Sequence, residues 1–158
     1  MDKRLWKQVF GEALGFASET LKAERSFVVF EGAGLARGLD TASLWVTGAI
    51  SHTILRTLLE EQEALVMMDA LADPRYREQT SAILSSLRSI LYVPLHSPNR
   101  VVSGMLYLDT LTKTGVFGHE QLTKAKSFVA NNFEPMLAEL SIQPKVLDWD
   151  GLTATEWL

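Results

Sequence analysis

Asp69, Asp73 and Arg75 form a short polar cluster in the middle of a chain of 158 residues. An arginine can hold an anionic group through paired hydrogen bonds, and a neighbouring carboxylate can accept from the N–H or O–H groups of a ligand. A structural role is the alternative, because Asp73 precedes Pro74 and could cap a helix while Arg75 pairs with Asp69 or a carbonyl. The cluster therefore indicates either a ligand-binding site or a helix start.

Two apolar segments farther along the chain carry four more candidates: Arg88, Ser89, Tyr92 and Tyr107. The arginine could clamp a carboxylate or phosphate with two hydrogen bonds, or it could anchor the preceding segment through backbone carbonyls. The tyrosine rings could line a pocket, or they could pack within a sheet with their hydroxyls hydrogen-bonded. Both interpretations stay open for the arginine and the tyrosines.

Residue types that several kinds of catalysis need are missing from the sequence. There is no cysteine, which excludes disulfides, thiolate nucleophiles and cysteine-based zinc sites. The histidines His52, His96 and His119 are far apart in sequence, and their spacing does not indicate a metal site. No nucleophile elbow and no nucleotide-binding glycine loop is present. We therefore expect a protein that is not an enzyme and that holds no metal.

Charge and hydropathy narrow the class of partner. The net charge is −4, with 19 acidic and 15 basic residues and no long run of lysine or arginine. Binding to nucleic acid needs a basic surface that neutralises phosphates, so this class of partner is disfavoured. No apolar stretch approaches the roughly 20 residues that span a bilayer, and the N-terminal segment lacks the apolar core of a secretory signal. The sequence predicts a soluble, cytoplasmic domain with neither nucleic acid nor membrane as partner.

The periodicity of apolar residues predicts a single α+β domain. Helices are expected over residues 3–22, 51–61, 75–78, 81–86 and 119–140, with Pro135 positioned to kink or shorten the last one. Strands are expected over residues 25–31, 64–68, 89–95 and 101–108, and a long loop or weak strand over residues 32–48. Turn residues join the last two strands, which favours an antiparallel hairpin. Helices segregated from a mostly antiparallel sheet describe an α+β sandwich.

The C-terminal segment has no clear period and stands apart from this pattern. We therefore divide the chain into a domain at residues 1–140 and a tail at residues 141–158. Trp149 and Trp157 lie in this otherwise polar tail, and two indoles there predict docking onto an apolar surface. That surface could belong to a partner protein or to the domain itself.

The predicted hairpin resembles a known family. Residues 87–95 (LRSILYVPL) and 104–109 (GMLYLD) are similar to the "RS-hydrophobic-x-VPL … G-hydrophobic-LYLD" core of GAF domains. Residues 51–59, 69–76 and 117–122 also resemble that family, so the likeness covers about residues 5–140. It is similar above all to GAF domains found beside phosphopeptide-binding domains, adenylate cyclases and enhancer-binding transcription regulators.

The resemblance implies a GAF-like (profilin-like) central antiparallel sheet. Its terminal helices would lie on one face, and loops and short helices would roof a small-molecule pocket on the other. The pocket candidates are then Asp69, Asp73, Arg75, Tyr76, Arg88, Ser89, Tyr92 and Tyr107. The resemblance also implies a homodimer formed by terminal helices, with Trp6, Phe10 and Phe133 as candidate seam residues. Trp149 and Trp157 are candidates for contact with a partner.

Departures from the family restrict the expected chemistry. Free methionine sulfoxide reductases of this fold work through cysteine, and bilin-binding relatives usually attach their chromophore through cysteine. The Asn-Lys-Phe-Asp-Glu motif of cyclic-nucleotide-binding relatives does not occur, so a cyclic nucleotide is possible but unsupported. No spacing singles out a histidine as a haem ligand. The identity of any cofactor therefore stays unknown.

Two functions follow from the sequence as hypotheses. The first is a non-catalytic sensory module, in which a small molecule closes the loops over the sheet and biases how the terminal helices pair. The second is a ligand-free module for dimerisation or partner docking, in which side chains fill the pocket. The shape and contents of the space over the sheet distinguish them.

Overall fold

A computed structural model describes residues 1–45, 50–69 and 88–158. Its helices are α1 (Lys3–Glu19), α2 (His52–Glu60), α3 (His119–Phe128), α4 (Glu134–Leu140) and α5 (Trp149–Thr153). Its strands are β1 (Arg25–Phe30), β2 (Ala33–Arg37), β3 (Leu65–Met67), β4 (Ser89–His96), β5 (Val102–Thr110) and β6 (Glu156–Trp157). The short helices predicted over residues 75–78 and 81–86 lie outside the described residues. None of the described helices combines the length and apolarity that crossing a bilayer requires.

Helix α1 forms because its apolar residues recur at three- and four-residue steps and so share one face. Asp2 starts the helix, since its carboxylate accepts from the backbone N–H groups of Arg4 and Leu5 at 3.1 and 3.2 Å. The buried side chains of the helix are Trp6, Val9, Phe10, Ala13, Leu14 and Ala17. The predicted helix is therefore present, and it ends at Glu19, slightly earlier than expected.

The described strands form one sheet in the order β3-β4-β5-β1-β2-β6. Neighbouring strands run antiparallel, except for β2 and β6, which run parallel. In the β4–β5 hairpin, Leu91 lies opposite Leu108 and Tyr92 lies opposite Tyr107, which confirms the predicted antiparallel hairpin. Strand β2 lies in the stretch predicted to be a long loop or weak strand.

Alternate residues of the strands point into two different cores. One face of the sheet packs against α1, α3 and α4, and we call it the helix face. The other packs against α2 and the tail, and we call it the tail face. The strands contribute mainly aliphatic residues to the helix face: Val28, Phe30, Leu91, Val93, Leu95, Leu106 and Leu108. To the tail face they contribute Phe27, Val29, Ile90, Tyr92, Met105 and Tyr107.

The helix predicted over residues 119–140 is interrupted by a π-helical turn at Val129–Phe133. Pro135 follows directly, in the first turn of α4. Proline has no N–H to donate, and its ring clashes with the carbonyl of the residue four positions earlier, so a regular α-helix does not continue through it. The wider turn relieves this clash and still buries Val129 and Phe133 against the helix face.

The tail crosses from the helix face to the tail face. It first passes the β1–β2 turn, where the N–H groups of Ile142 and Gln143 donate to the Glu31 carboxylate. The N–H of Leu147 then donates to the carbonyl of Val102 at 2.9 Å. Beyond this point α5 lies on the tail face, where Leu152 is completely buried, and β6 joins the sheet beside β2.

Candidate functional site

The predicted pocket residues fall into three groups. Asp73, Arg75 and Tyr76 lie outside the described residues. Asp69 follows β3, and Arg88 precedes β4, where its backbone N–H donates to the carbonyl of Thr110 at 2.9 Å. The other three candidates lie within β4 and β5.

Tyr92 and Tyr107 lie side by side on the tail face, with exposed fractions of 1% and 0%. The Tyr92 hydroxyl donates to the carbonyl of Glu61 at 3.4 Å. Burial, assisted by the negative charge of Glu61, raises the pKa of Tyr92 well above its ordinary value. Both rings therefore act as covered surface, and the Tyr92 side chain stays neutral.

Ser89 lies on the opposite face from the two tyrosines. Its hydroxyl donates to the carbonyl of Met67 at 3.2 Å and accepts from the N–H of Phe117 at 3.2 Å. These bonds join β3, β4 and the segment before α3, and the residue is fully buried. Its placement corrects its assignment to the pocket, because its side chain faces the helix side and its bonding capacity is used there.

An ion pair that the sequence analysis missed holds one end of the tail face. Arg25 donates to Asp109 through Nε at 2.8 Å and through Nη2 at 2.6 Å, and the Tyr107 hydroxyl donates to the same carboxylate at 2.7 Å. Burial disfavours the charged guanidinium, but the hydrogen bonds and charge of Asp109 outweigh it, so the pKa of Arg25 is raised. Two features of the sequence could have indicated this ion pair: an aspartate ends the GMLYLD segment, and an arginine begins a predicted strand.

An aromatic cluster covers the part of the tail face next to β1. Phe27 stacks on Tyr107 with ring centroids 5.1 Å apart, and it meets Trp45 and Trp157 edge-on at 6.4 and 6.0 Å. Trp45 also lies 6.2 Å from both Trp149 and Trp157. We call Phe27, Trp45, Trp149 and Trp157 the aromatic cluster. Trp45 belongs to the stretch that was hardest to interpret from sequence, and for this reason it was not a candidate.

Helix α2 borders this cluster with two polar side chains one turn apart. The His52 ring lies 5.1 Å from the Trp149 ring, and the Arg56 guanidinium lies over the same ring at 4.1 Å from its centroid. The second contact has cation–π geometry. His52 and Trp149 are half-buried and Arg56 is exposed, so Trp149 lies at the rim of the cluster.

Within residues 1–45, 50–69 and 88–158, two buried nitrogen atoms around Trp149 have no hydrogen-bond partner: Trp45 Nε1 and His52 Nε2. Leaving a buried polar atom unpaired costs about 1–3 kcal/mol. Native structures satisfy most such groups, so each exception calls for a specific explanation. These atoms give an otherwise apolar surface a capacity for polar recognition.

The Glu31 carboxylate anchors the beginning of the tail. It accepts from the hydroxyls of Ser97 and Ser141 and from the N–H groups of Ile142 and Gln143, the last two at 2.9 Å. Burial opposes ionisation of this carboxyl group, but the hydrogen bonds outweigh it and lower its pKa. The ionised Glu31 carboxylate therefore helps to hold the tail against the domain.

Strand β6 anchors the end of the tail to the sheet edge. The N–H groups of Glu156 and Leu158 donate to the carbonyls of Gly32 and Gly34, each at 2.8 Å. Gly34 is needed there because a Cβ at this position would lie 2.8 Å from the Trp157 ring. The tail strand therefore depends on a glycine of its neighbour.

The predicted interface residues are buried within the protomer, which corrects their assignment as seam residues. Trp6 is 3% exposed, and Phe10 and Phe133 are 0% exposed, because all three fill the core of the helix face. Trp149 and Trp157 pack on the domain's own tail face. The described residues contain no group of three or more histidine, aspartate or glutamate side chains placed to hold a metal ion.

Solved structures with a similar fold include the following two. The type II free methionine-R-sulfoxide reductase from Thermoplasma acidophilum gives a TM-score of 0.56 at 19% identity, over 90% of this chain and 99% of that chain. The GAF domain/HD domain protein from Geobacter sulfurreducens gives a TM-score of 0.55 at 15% identity, over 87% of this chain and 92% of that chain. The fold is GAF-like.

This result confirms the predicted fold class, an α+β GAF-like sheet with the terminal helices on one face. No protein-family model matches the chain, and no curated protein matches it. In the GAF-like arrangement the tail face is the side on which the resemblance implies a pocket. Here that side carries the aromatic cluster.

Proposed function

We propose that this chain is a regulatory module that binds a small molecule on the tail face and signals to a partner protein or a second copy of itself. The pair of buried, unpartnered nitrogen atoms, Trp45 Nε1 and His52 Nε2, carries the proposal. A ligand with hydrogen-bonding atoms would satisfy them, and the surrounding rings would supply apolar contact. Such sites combine a mostly apolar lining with a few polar groups that fix orientation.

The module is proposed to be non-catalytic. The sequence contains no cysteine, and the resemblance implies that the reductases of this fold depend on one. The charged side chains at one end of this face, Arg25 and Asp109, are already engaged with each other, and the Tyr107 hydroxyl donates to the same carboxylate. What the cluster can offer is recognition, through ring surface and individual nitrogen atoms.

Signalling is proposed to run through the terminal helices or the tail. With Trp6, Phe10 and Phe133 inside the core, the outer surface of the helices presents a different pair, Phe16 and Phe128. These rings stack at a centroid distance of 4.2 Å and are half-buried. They are the apolar surface that a second copy would meet on this side.

The test compares ligand binding by the wild-type protein and by Trp45→Phe. A thermal-shift screen with nucleotides and metabolites would identify compounds that bind, and calorimetry would give their affinities. The phenylalanine keeps an aromatic ring but removes Nε1–H, so we expect affinity to fall roughly fivefold, which corresponds to one neutral hydrogen bond. In the unliganded variant, removal of an unpaired donor favours stability and loss of ring surface opposes it, so we expect only a small net change in stability.

Trp6→Phe is the matched control, since it makes the same substitution in the core of the helix face. We expect this variant to bind as tightly as the wild type. A ligand that binds Trp45→Phe and wild type equally would contradict the assignment of the site. A screen that finds no binding compound would favour the alternative function.

That alternative is a ligand-free module for dimerisation or partner docking. A specific observation favours it: Ile90, Tyr92, Met105 and Tyr107 on the tail face are at most 1% exposed. Deletion of residues 144–158 separates the two functions. It should abolish partner binding if the tail is the docking element, and it should leave a small-molecule site in the domain open.

A further inference from the structure

We propose that Trp149 is an exchangeable occupant of the site, which the tail supplies from the same chain. A planar aromatic ligand that carries an anionic group would take the place of the indole and thereby release α5 and β6 from the sheet. This inference rests on the proposed function, because it names the ligand class and the regulation of the same site. Release of the tail would then be the signal that a ligand occupies the site.

The position of Trp149 at the rim supports the exchange. Its ring is half-buried, whereas Leu152 in the same helix is completely buried. One side of the ring meets the exposed Arg56 at 4.1 Å, and the His52 ring lies 5.1 Å away. The indole can therefore leave toward solvent without passing through the core.

The hydrogen bonds of α5 are local, so the helix can move as a unit. Asp148 caps it by accepting from the N–H of Gly151 at 2.7 Å. Thr153 and Thr155 donate their hydroxyl hydrogens to carbonyls within the same segment. Undocking of α5 would therefore leave these polar groups paired.

The attachments of the tail to the body divide into two parts. Residues 141–147 are fastened by Glu31 and by the carbonyl of Val102. Residues 156–158 are held by backbone hydrogen bonds to Gly32 and Gly34 at the sheet edge and by an exposed ion pair from Lys3 to Glu156. Between them, a cleft of about 290 Å³ separates the tail from the body next to Gly151. Residues 141–147 can therefore act as a hinge while residues 156–158 detach.

The groups around Trp149 define the ligand that could replace it. Among the residues that the structure describes, they include a guanidinium from Arg56, an imidazole from His52, and the indole ring and unpaired Nε1 of Trp45. A flat ring would stack in place of the indole, and a carboxylate would meet the guanidinium. Indole-3-acetate has both parts, so it is the probe for this inference.

The experiment measures hydrogen exchange of the tail with and without saturating indole-3-acetate. In the wild-type protein, we expect the amides of Glu156 and Leu158 to lose protection when the probe binds, while the β4–β5 hairpin keeps its protection. Binding of the probe with unchanged exchange at these two amides would overturn the inference.

Trp149→Ala removes the competing indole and should bind the probe at least tenfold more tightly than the wild type. Adding Arg56→Met to this variant should weaken binding of indole-3-acetate but not of uncharged indole. If Trp149→Ala does not fold, Gly34→Val replaces it, because it displaces Trp157 and loosens the tail while keeping every residue around Trp149. The inference would be overturned if neither Trp149→Ala nor Gly34→Val bound indole-3-acetate more tightly than the wild type.

The two proposals can fail separately. A metabolite that binds the wild-type protein through Trp45 but leaves tail exchange unchanged would overturn the exchange of Trp149 and leave the proposed function standing. If no metabolite binds through Trp45, but indole-3-acetate still releases the tail, the site accepts a ligand in place of Trp149 and the proposed dependence on Trp45 is wrong.

Discussion

The two faces of the sheet are both buried, but they are built differently. On the helix face, long elements supply mostly aliphatic side chains, and α1 alone buries residues along its whole length. On the tail face, a nine-residue helix and a short tail cover a cluster of aromatic rings. The helix face is a core in the ordinary sense, whereas the described part of the tail face is covered partly by the C-terminal tail, which Glu31 holds at its beginning and β2 holds at its end.

The difference extends to polar groups. On the helix face, the buried Ser89 hydroxyl takes part in two hydrogen bonds. In the part of the chain that the structure describes, the tail face leaves Trp45 Nε1 and His52 Nε2 unpaired. A face optimised only for stability would pair or remove such atoms, since each one costs free energy. The comparison supports the proposal that stability and recognition are divided between the two sides of one sheet.

The largest expected effect is on the helix face. Phe133→Ala removes a ring that is 0% exposed, so we expect it to lower the free energy of unfolding by about 3–5 kcal/mol. Trp157→Ala removes a half-buried ring from the tail face and should cost about 1–2 kcal/mol. Urea unfolding of the two variants measures the difference. Equal costs would show that the tail face is as integral to the fold as the helix face.

Replacement of Gly34 should act on the tail more than on the domain. Gly34→Val places a side chain against the Trp157 ring, and we expect a cost of about 1–3 kcal/mol through overpacking. Hydrogen exchange should show lost protection at Glu156 and Leu158, with the β4–β5 hairpin still protected.

Gly11→Ala is the matched control, because nothing lies within 4 Å of its added Cβ inside α1. It should raise stability by about 0.5–1 kcal/mol and leave the exchange of the tail unchanged. Loss of protection throughout the sheet in Gly34→Val would contradict the idea that the tail detaches separately.

The elements of the helix face could be predicted because their signals are local. The spacing from Trp6 to Ala17 marks an amphipathic helix, and Pro135 marks the interruption of the last one. The β4–β5 hairpin combines two apolar runs with a turn between them. In each case the residues that decide the structure are close together in sequence.

The tail face depends on contacts between distant residues, and so it could not be derived in the same way. Strand β6 has only two residues and exists because Gly32 and Gly34 offer carbonyls and space. Two tryptophans in the tail predicted docking, but the sequence could not choose between a partner and the domain. Trp45 carried no periodic signal, so its meeting with Trp149 could not be foreseen.

The smallest expected effect is the pH dependence of the tail. Its hydrogen bonds hold the pKa of Glu31 below the ordinary glutamate value of 4.5. A carboxyl group with a lowered pKa in the folded state stabilises that state above the ordinary value, and the contribution disappears as pH falls through the folded-state pKa. We therefore expect the tail to lose protection on acidification below about pH 4.5, which Glu31→Gln should largely abolish.

Glu24→Gln is the control for this pH effect. Glu24 accepts hydrogen bonds from Leu111 and Thr112 in the domain, so its substitution tests an effect on the domain apart from an effect on the tail. Glu24 also has a lowered pKa: burial opposes ionisation, but hydrogen bonds from Thr112 and Leu111 at the end of β5 outweigh it. Its substitution should change the pH dependence of global unfolding but not the protection of Glu156 and Leu158, measured as protection factors to correct for intrinsic exchange. If the tail of Glu31→Gln still detaches in acid, the fastening lies elsewhere, and the β2 edge would then be the attachment that decides whether the tail stays docked.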